Sequence, residues 1–340
     1  MGGSDLVTVV VPAADEERFI GRCLDSVCAQ EHTELQILVV DGGSTDRTAE
    51  VVRQRAERDR RIELLSHPRR NIPSSLNLAL RHARGRWLVR VDAHSTIPPD
   101  YVALAVERLR EGRWGGVGGR KDGDATSAAG RAIAVAMGSK LGVGNSLYHH
   151  GTREQQTDHV AFGAYPVPLL KELGGWNERI TANEDFELDY RIREHGHRLL
   201  FDPRMRIAWR CRESTAELFR QYRRYGAGKV DVALLHPRSI SPRHVMPPAF
   251  VLYAALAAVR GVRRPEVALA MVAPYLLAVG LESVRCGSRL QGMHERSRLP
   301  LAFASMHLGW GIGFWLGLVQ RLGVRRDAGQ VGDASDRLGT

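Results

Sequence analysis

Residues 7–17 read Val-Thr-Val-Val-Val-Pro-Ala-Ala-Asp-Glu-Glu, an apolar run stopped by Pro12 and followed at once by three acids. An unbroken β-branched run marks a strand covered on both faces, as in a parallel sheet. The figure returns twice: Ile37–Val40 ends at Asp41-Gly42-Gly43, and Trp87–Val91 ends at Asp92-Ala93-His94. Between the runs lie helical stretches. Arg18 to Ala29 carries Phe19, Ile20, Cys23, Leu24 and Val27 at helical spacing, Thr45 to Glu57 follows Ser44 as a cap, and Ser74–His82 precedes the third run. Ile62–Leu65 adds a short strand. Strands alternating with helices predict βαβ units and a mostly parallel sheet, an α/β fold class. Such sheets bind ligands beyond the carboxyl ends of their strands, so polar groups at three equivalent ends point to one shared site.

Downstream the pattern loosens. Trp114 to about Tyr165 is glycine-rich, but Gly115-Gly116-Val117-Gly118-Gly119 lacks the G-x-G-x-x-G spacing and reads as a turn and strand. Pro168–Leu173 is a helical turn, Gly174-Gly175-Trp176 a turn, and Asp185–Glu194 and Ser214–Tyr225 are helices. Around Pro247 the composition shifts. Phe250–Val259, Val267–Val279 and Leu301–Val319 are apolar and poor in charge, the last approaching the roughly 20 residues that span a bilayer. The chain divides into a catalytic domain over 1–240, an apolar membrane-associated helical region over 245–322 and a disordered tail over 323–340.

The 340 residues are 44% hydrophobic and 25% charged, ordinary for a chain with a sizeable core. The net charge of +10 implies an anionic partner. No nucleic-acid motif is present. Arg260, Arg263, Arg264, Arg285, Arg289, Arg321, Arg325 and Arg326 flank the apolar segments, which favours a membrane surface. With arginines on nearly every side, the positive-inside rule assigns no alternating loops, so some segments are expected to lie in the cytosolic interface. A soluble helical hairpin over Phe250–Val279 is the alternative. Cys23, Cys28, Cys211 and Cys286 show neither C-x-x-C nor zinc spacing, which fits reduced cysteines in the cytoplasm. The N-terminus lacks a secretory pattern, which places the catalytic part in the cytosol.

Four clusters carry chemistry. Asp92 and His94, two residues apart past a strand end, can both reach one divalent cation, and such a cation bridges diphosphate oxygens. Asp41 can accept from a base or ribose, with Ser44-Thr45-Asp46 capping the next helix. In Asn183-Glu184-Asp185, a carboxylate is available as general base for an acceptor hydroxyl. On a helix start Glu184 and Asp185 point roughly 100° apart, so only one is expected to face that hydroxyl. Gln221-Tyr222-Arg223-Arg224-Tyr225 can meet a diphosphate or sugar. Each also has a plain structural reading: a solvated loop, a strand-to-helix turn, acids favoured by a helix N-terminus, a basic face near a membrane.

In this order the residues resemble glycosyltransferase family 2, of the GT-A fold. Val9 to Glu17 resembles its strand-Pro-x-x-Asn-Glu-Glu opening, with Asp15 in place of Asn. Asp41-Gly-Gly-Ser-Thr-Asp resembles its second-strand aspartate motif, and Ser-Ser-Leu-Asn77-Leu-Ala the helix before its metal-binding strand. Asp92-Ala-His94 stands at its D-x-D, Gly174-Gly-Trp176-Asn-Glu178 with Glu184-Asp185 at its acceptor-side motif, and Gln221-x-x-Arg224-Tyr225 at its Q-x-x-R-W box. The resemblance, over residues 6 to 230, implies an inverting enzyme with Asp185 as base and Glu184 beside it. It implies a UDP-sugar on Pro12, Ala13, Glu16, Asp41, Asn77 and Asp92, and acceptor or diphosphate contacts from Trp176, Gln221, Arg224 and Tyr225. A metal would sit on Asp92 and His94. The nitrogen ligand would favour Mn²⁺ over Mg²⁺. Asp-Ala-His followed by Met137-Gly-Ser-Lys-Leu-Gly-Val-Gly144 is similar to bacterial exopolysaccharide glucosyltransferases of succinoglycan type, which implies a polyprenyl-linked saccharide acceptor at the cytoplasmic face of the cell membrane. Tyr225 in place of Trp argues against a processive polymerase. The rivals are a non-catalytic sugar-nucleotide-binding module and a nucleotidyltransferase, the latter weakened by Pro12-Ala13-Ala14 where a Gly-rich loop belongs.

Overall fold

A computed structural model describes residues 5–335, with side chains through residue 323. In chain order its elements are β1 (Val7–Ala13), α1 (Ile20–Cys28), β2 (Leu35–Asp41), α2 (Thr48–Ala56), β3 (Ile62–Ser66), α3 (Ile72–His82), β4 (Trp87–Arg90), β5 (Ser95–Thr96), α4 (Tyr101–Arg110), β6 (Trp114–Asp124), α5 (Ala128–Met137), α6 (Lys140–Val143), α7 (Leu147–His150), β7 (Gln155–Thr157), β8 (Ala164–Pro166), α8 (Val167–Glu172), α9 (Glu184–Glu194), β9 (Arg198–Arg210), α10 (Thr215–Leu235), α11 (Pro242–Gly261), α12 (Pro265–Gly287), α13 (Met293–Arg296) and α14 (Leu299–Ser335). Two compact units result. One holds the chain up to Ala125 with Met137–Cys211, and the other Thr126–Ala136 with the chain from Arg212 onward. The boundary read near residue 240 therefore falls inside the second unit, and of the tail expected over 323–340, the part through Ser335 continues α14 while residues 336–340 lie outside the described residues.

The first unit is built on one sheet of order β3-β2-β1-β4-β8-β6-β9-β5, with β7 paired to β9. β3, β2, β1 and β4 are parallel, as the alternating pattern predicts. Beyond them the sheet is mixed: β8 runs antiparallel to β4 and β6, while β6 and β9 are parallel. Val10, Leu38, Val40 and Leu88 pack with Leu76, Ala79 and Leu80 of α3 and Leu188 and Ile192 of α9, so the strand runs are apolar because helices cover them. Register then fixes the site. Ala13 pairs with Asp41 and Val10 with Arg90, which lines up the three polar strand ends.

Several local readings need correction. The glycine run, read as a turn and strand, is strand throughout and opens the eleven-residue β6. A Cβ on Gly119 would stand 1.7 Å from the carbonyl oxygen of Met205, so glycine lets β6 lie against β9. The thirteen-residue β9 escaped notice because Pro203 and alternating arginines mask it, and α5 escaped inside the glycine-rich stretch. Ser44 does not cap α2: its hydroxyl donates to Asp41 Oδ1 at 2.5 Å, and Asp46 Oδ1 accepts from the Thr48 N–H at 2.9 Å. Asn71 caps α3, accepting from the Ser74 N–H.

The second unit is helical. Ser214 caps α10 by accepting from the Glu217 N–H. α10 and α14 meet through glycines. A Cβ on Gly226 would lie 2.1 Å from the Trp310 carbonyl oxygen, and one on Gly313 2.0 Å from that of Arg223. Two stretches, Pro265–Gly287 and Met293–Gly323, are long and apolar enough to cross a membrane by length and composition. Leu269, Leu276, Leu277, Leu281 and Val284 of α12 are exposed.

Candidate active site

At the carboxyl ends of β1 and β2 the chain is held by side chains. Asp15, at φ +56°, accepts from the Thr45 N–H and hydroxyl and pairs with Arg70 at 2.7 Å. Asp41 is buried, its Oδ1 taken by Ser44. The Gly42 N–H donates to the Ala13 carbonyl. Pro12, Ala13, Glu16 and Asp41 thus lie at one edge of the sheet.

The centre is a residue the sequence reading passed over. Arg90 lies in an apolar strand, and only 3% of its surface is exposed. Its Nε donates to Asp92 Oδ1 at 2.9 Å, and one terminal nitrogen donates to Glu184 Oε1 at 3.1 Å and Asp185 Oδ1 at 2.7 Å. A buried guanidinium requires such partners, and a lone arginine inside Trp87–Val91 was the available signal. The two acids of α9 therefore do not diverge as expected: both reach one nitrogen. Asn183, at φ +67°, turns the chain into α9 so that they converge. The Trp176 indole N–H also donates to Asp185 Oδ1, at 3.0 Å. Asp185 Oδ1 is thus doubly held. Burial pushes the Asp185 carboxyl above its usual range, Arg90 pulls it down, and the Glu184 charge adds to the rise.

Trp176 and Asn77 serve this geometry. Trp176 is buried and spends its N–H on Asp185. Asn77 was expected on the donor, but its amide oxygen accepts from the Trp176 N–H at 2.8 Å, and its NH₂ donates to the Trp176 carbonyl and to Glu178. Both ends of Asn77 are spent holding the Gly-Gly-Trp turn, where Gly175 sits at φ +72°.

His94 differs from its expected role. Its Nε2 accepts from the Trp209 indole N–H at 2.9 Å, so the proton sits on Nδ1, which donates to Glu16 Oε1 at 3.0 Å. Neither nitrogen keeps a lone pair for a metal. Among the described residues no three His, Cys, Asp or Glu side chains gather as a metal cluster. Asp92 uses one oxygen on Arg90 and keeps the other, so the residues fit a cation held by Asp92 together with donor diphosphate oxygens, without His94. Lys121 lies over the Trp209 ring, 3.6 Å from its centre, adding a positive charge beside this chain of hydrogen bonds. Gln221, Arg224 and Tyr225 belong to the second unit on α10. There Gln221 is buried and donates to the Tyr225 hydroxyl at 3.1 Å, while Arg224 is exposed.

Residues 8–159, just under half of the chain, match the family described as glycosyl transferase family 2. The chain is 29% identical over 318 residues to the succinoglycan biosynthesis protein ExoA of Rhizobium meliloti, covering 90% of this chain and 93% of that protein. It is 23% identical over 235 residues to a dolichyl N-acetyl-α-D-glucosaminyl phosphate 3-β-D-2,3-diacetamido-2,3-dideoxy-β-D-glucuronosyltransferase of Methanococcus voltae, covering 66% of this chain and 73% of the relative. Among solved structures, the mannosyltransferase PcManGT of Pyrobaculum calidifontis, in complex with GDP-Man and Mn²⁺, shares the fold with a TM-score of 0.55 and 22% identity, over 89% of this chain and 86% of that one.

Proposed function

Residues 8–159 of the chain form a glycosyl transferase family 2 domain, and from that premise we propose that the protein is an inverting hexosyltransferase. It moves a sugar, glucose by the resemblance of Asp92-Ala-His94 and residues 137–144 to the succinoglycan-type glucosyltransferases, from UDP to a polyprenyl-linked saccharide at the cytoplasmic face of the cell membrane, in exopolysaccharide or cell-envelope glycan synthesis. The relative named for a dolichyl-phosphate-linked substrate supports a lipid-linked acceptor. The observation that carries the reading is Arg90, one guanidinium holding Asp92 of the donor-side motif and both acids of the acceptor-side motif.

The chemistry follows from the free oxygens. Arg90 and Trp176 hold Asp185 Oδ1, which leaves Oδ2 to take the acceptor hydroxyl proton. The hydroxyl oxygen attacks the anomeric carbon, the bond to UDP breaks on the opposite face, and the configuration inverts. A divalent cation on Asp92, when bound, would neutralise charge on the departing diphosphate. The preference for Mn²⁺ over Mg²⁺ rested on a nitrogen ligand, and it requires His94 to release Trp209.

The test is UDP release in the presence of membranes and extracted polyprenyl-linked acceptors, across UDP-sugar donors. Asp185→Asn is expected to lose about 10²–10⁴-fold in turnover with donor affinity near wild type, and EDTA to abolish turnover. Glu184→Gln should do less damage. If Asp185→Asn keeps more than about a tenth of turnover, the base is not Asp185. If the wild type releases UDP from no donor, the chain is a sugar-nucleotide binder instead. Equal activity with EDTA and with Mn²⁺ rules out the cation.

A further inference from the structure

Two elements far apart in the chain meet through one imidazole. β5 runs antiparallel to β9 with Ser95 opposite Trp209, and the Arg210 N–H donates to the His94 carbonyl at 3.2 Å, so the backbone already seats His94 beside Trp209. The Trp209 indole is a donor only, and its N–H meets His94 Nε2 at 2.9 Å. That fixes the tautomer: Nδ1 carries the proton and donates to Glu16 Oε1 at 3.0 Å. Trp209 is itself buried, with Lys121 over its ring. Glu16 belongs to the turn after β1. Its N–H donates to Thr48 Oγ1 at 2.7 Å, and its carbonyl accepts from the Phe19 and Ile20 N–H groups at the start of α1. Backbone bonds thus place Glu16 and His94 takes one of its carboxylate oxygens. Among the described residues nothing donates to the other, Oε2. The side chain is 21% exposed at the carboxyl end of β1, and such sheets bind ligands at those ends.

We propose that His94 is a positioning residue for the donor and not a ligand of the cation: it aims the Glu16 carboxylate so that Oε2 accepts a hydroxyl of the sugar nucleotide, and Trp209 holds the imidazole in the tautomer that does so. The role rests on a UDP-sugar lying at this edge of the sheet. An imidazole that donates Nδ1–H to a carboxylate is also how a metal-ligating histidine is held. What separates the two arrangements is the occupant of Nε2, and here the Trp209 N–H stands where a metal would have to sit. Glu16 keeps a full negative charge and a free oxygen, which suits a hydroxyl that has to be recognised by a strong acceptor. His94 acts through Glu16 and touches neither the donor nor the bond that breaks.

Ligand and positioning residue respond oppositely to substitution. The full-length protein in detergent is titrated with Mn²⁺, read by electron paramagnetic resonance of the free ion, and with UDP and UDP-glucose by calorimetry, beside kcat from UDP release. The His94→Gln amide can donate to Glu16 and accept from Trp209 but has no imidazole nitrogen, so Mn²⁺ affinity should stay at the wild-type value. His94→Asp offers the metal an oxygen but cannot donate to Glu16 and sets a like charge against it. Nucleotide affinity is expected to fall about 10- to 100-fold, with the loss in KM and little in kcat. Trp209→Phe should weaken nucleotide binding in the same direction without tightening Mn²⁺, and carries the test if His94→Asp does not fold. A loss shared by UDP and UDP-glucose assigns the hydroxyl to the ribose, and a loss for UDP-glucose alone assigns it to the sugar. With Glu16→Gln already in place, His94→Asp should weaken binding no further. A loss of Mn²⁺ affinity of about tenfold or more in His94→Gln, tighter Mn²⁺ in Trp209→Phe, or unchanged affinity for both nucleotides in His94→Asp would overturn the proposal. A wild type that binds UDP but turns over no donor would instead overturn the transferase reading, and the affinity comparisons would still decide the role of His94.

Discussion

Arg90 donates in three directions from a planar fork, and a lysine ammonium at that place keeps the charge but not the geometry. Arg90→Lys is therefore expected to lose at least about tenfold in turnover with a modest loss of stability. Arg90→Met leaves three carboxylates, each no more than 15% exposed, without their cation and should cost about 3–5 kcal/mol. Thermal unfolding in detergent beside UDP release checks both, and an unchanged turnover for Arg90→Lys would remove the fork from the argument. Asp185 extends the reasoning to pH. Its carboxyl is held above the usual range, with burial the largest cause. Activity requires the carboxylate, so the acid limb of the pH profile should lie above the ordinary carboxylate range. A raised folded-state pKa means that the folded protein binds this proton more tightly than the unfolded chain. That contribution is complete below the unfolded pKa and is lost as pH rises through the folded one. Asp185→Asn removes the loss, so the inactive variant should unfold at a higher temperature than wild type at neutral pH. A lower midpoint would mean that the Arg90 pairing outweighs burial.

At the level of elements, two close approaches depend on glycine. β6 reaches β9 through Gly119, and α10 crosses α14 through Gly226 and Gly313. A side chain at any of them meets a carbonyl oxygen at far less than contact distance, so the elements must part. Gly313→Val is expected to destabilise by about 1–3 kcal/mol or more, read as a lowered unfolding midpoint in detergent. Gly323→Ala is the control, since a Cβ there meets nothing within 4 Å. It should gain about 0.5–1 kcal/mol from helix propensity. Equal behaviour of the two variants would show that the crossing does not depend on its glycines.

Over the whole molecule, α12 leaves a row of leucines and Val284 exposed, more apolar surface than a soluble protein normally leaves uncovered. Arg260, Arg263 and Arg264 stand at the turn from α11 into α12. Apolar burial and attraction to anionic headgroups then act together. Full-length protein should stay in the membrane pellet through high salt and carbonate and leave it in detergent. The double substitution Leu277→Glu with Leu281→Glu should shift part of it to the supernatant. Recovery of wild type in the soluble fraction, without detergent at low salt, would overturn the membrane reading.

The sequence by itself determined the parallel half of the sheet, because a strand covered on both faces must be apolar throughout, and three such runs ending in acids define one edge. It also pointed to Asp41, Asp92, Glu184 and Asp185 as polar groups at element ends, which local pattern exposes; the structure joins the last three through Arg90. Only the tertiary structure decided what those groups touch. Arg90 and Asp185 stand 95 residues apart, as do no residues linked by a local motif, and His94 spends its lone pair on Trp209, a residue of a strand hidden by Pro203. Asn77 looked like a donor contact and proved a clamp on a distant turn. A hydrogen bond between remote residues depends on how elements pack, and periodicity records only which face of an element is buried, not which partner covers it.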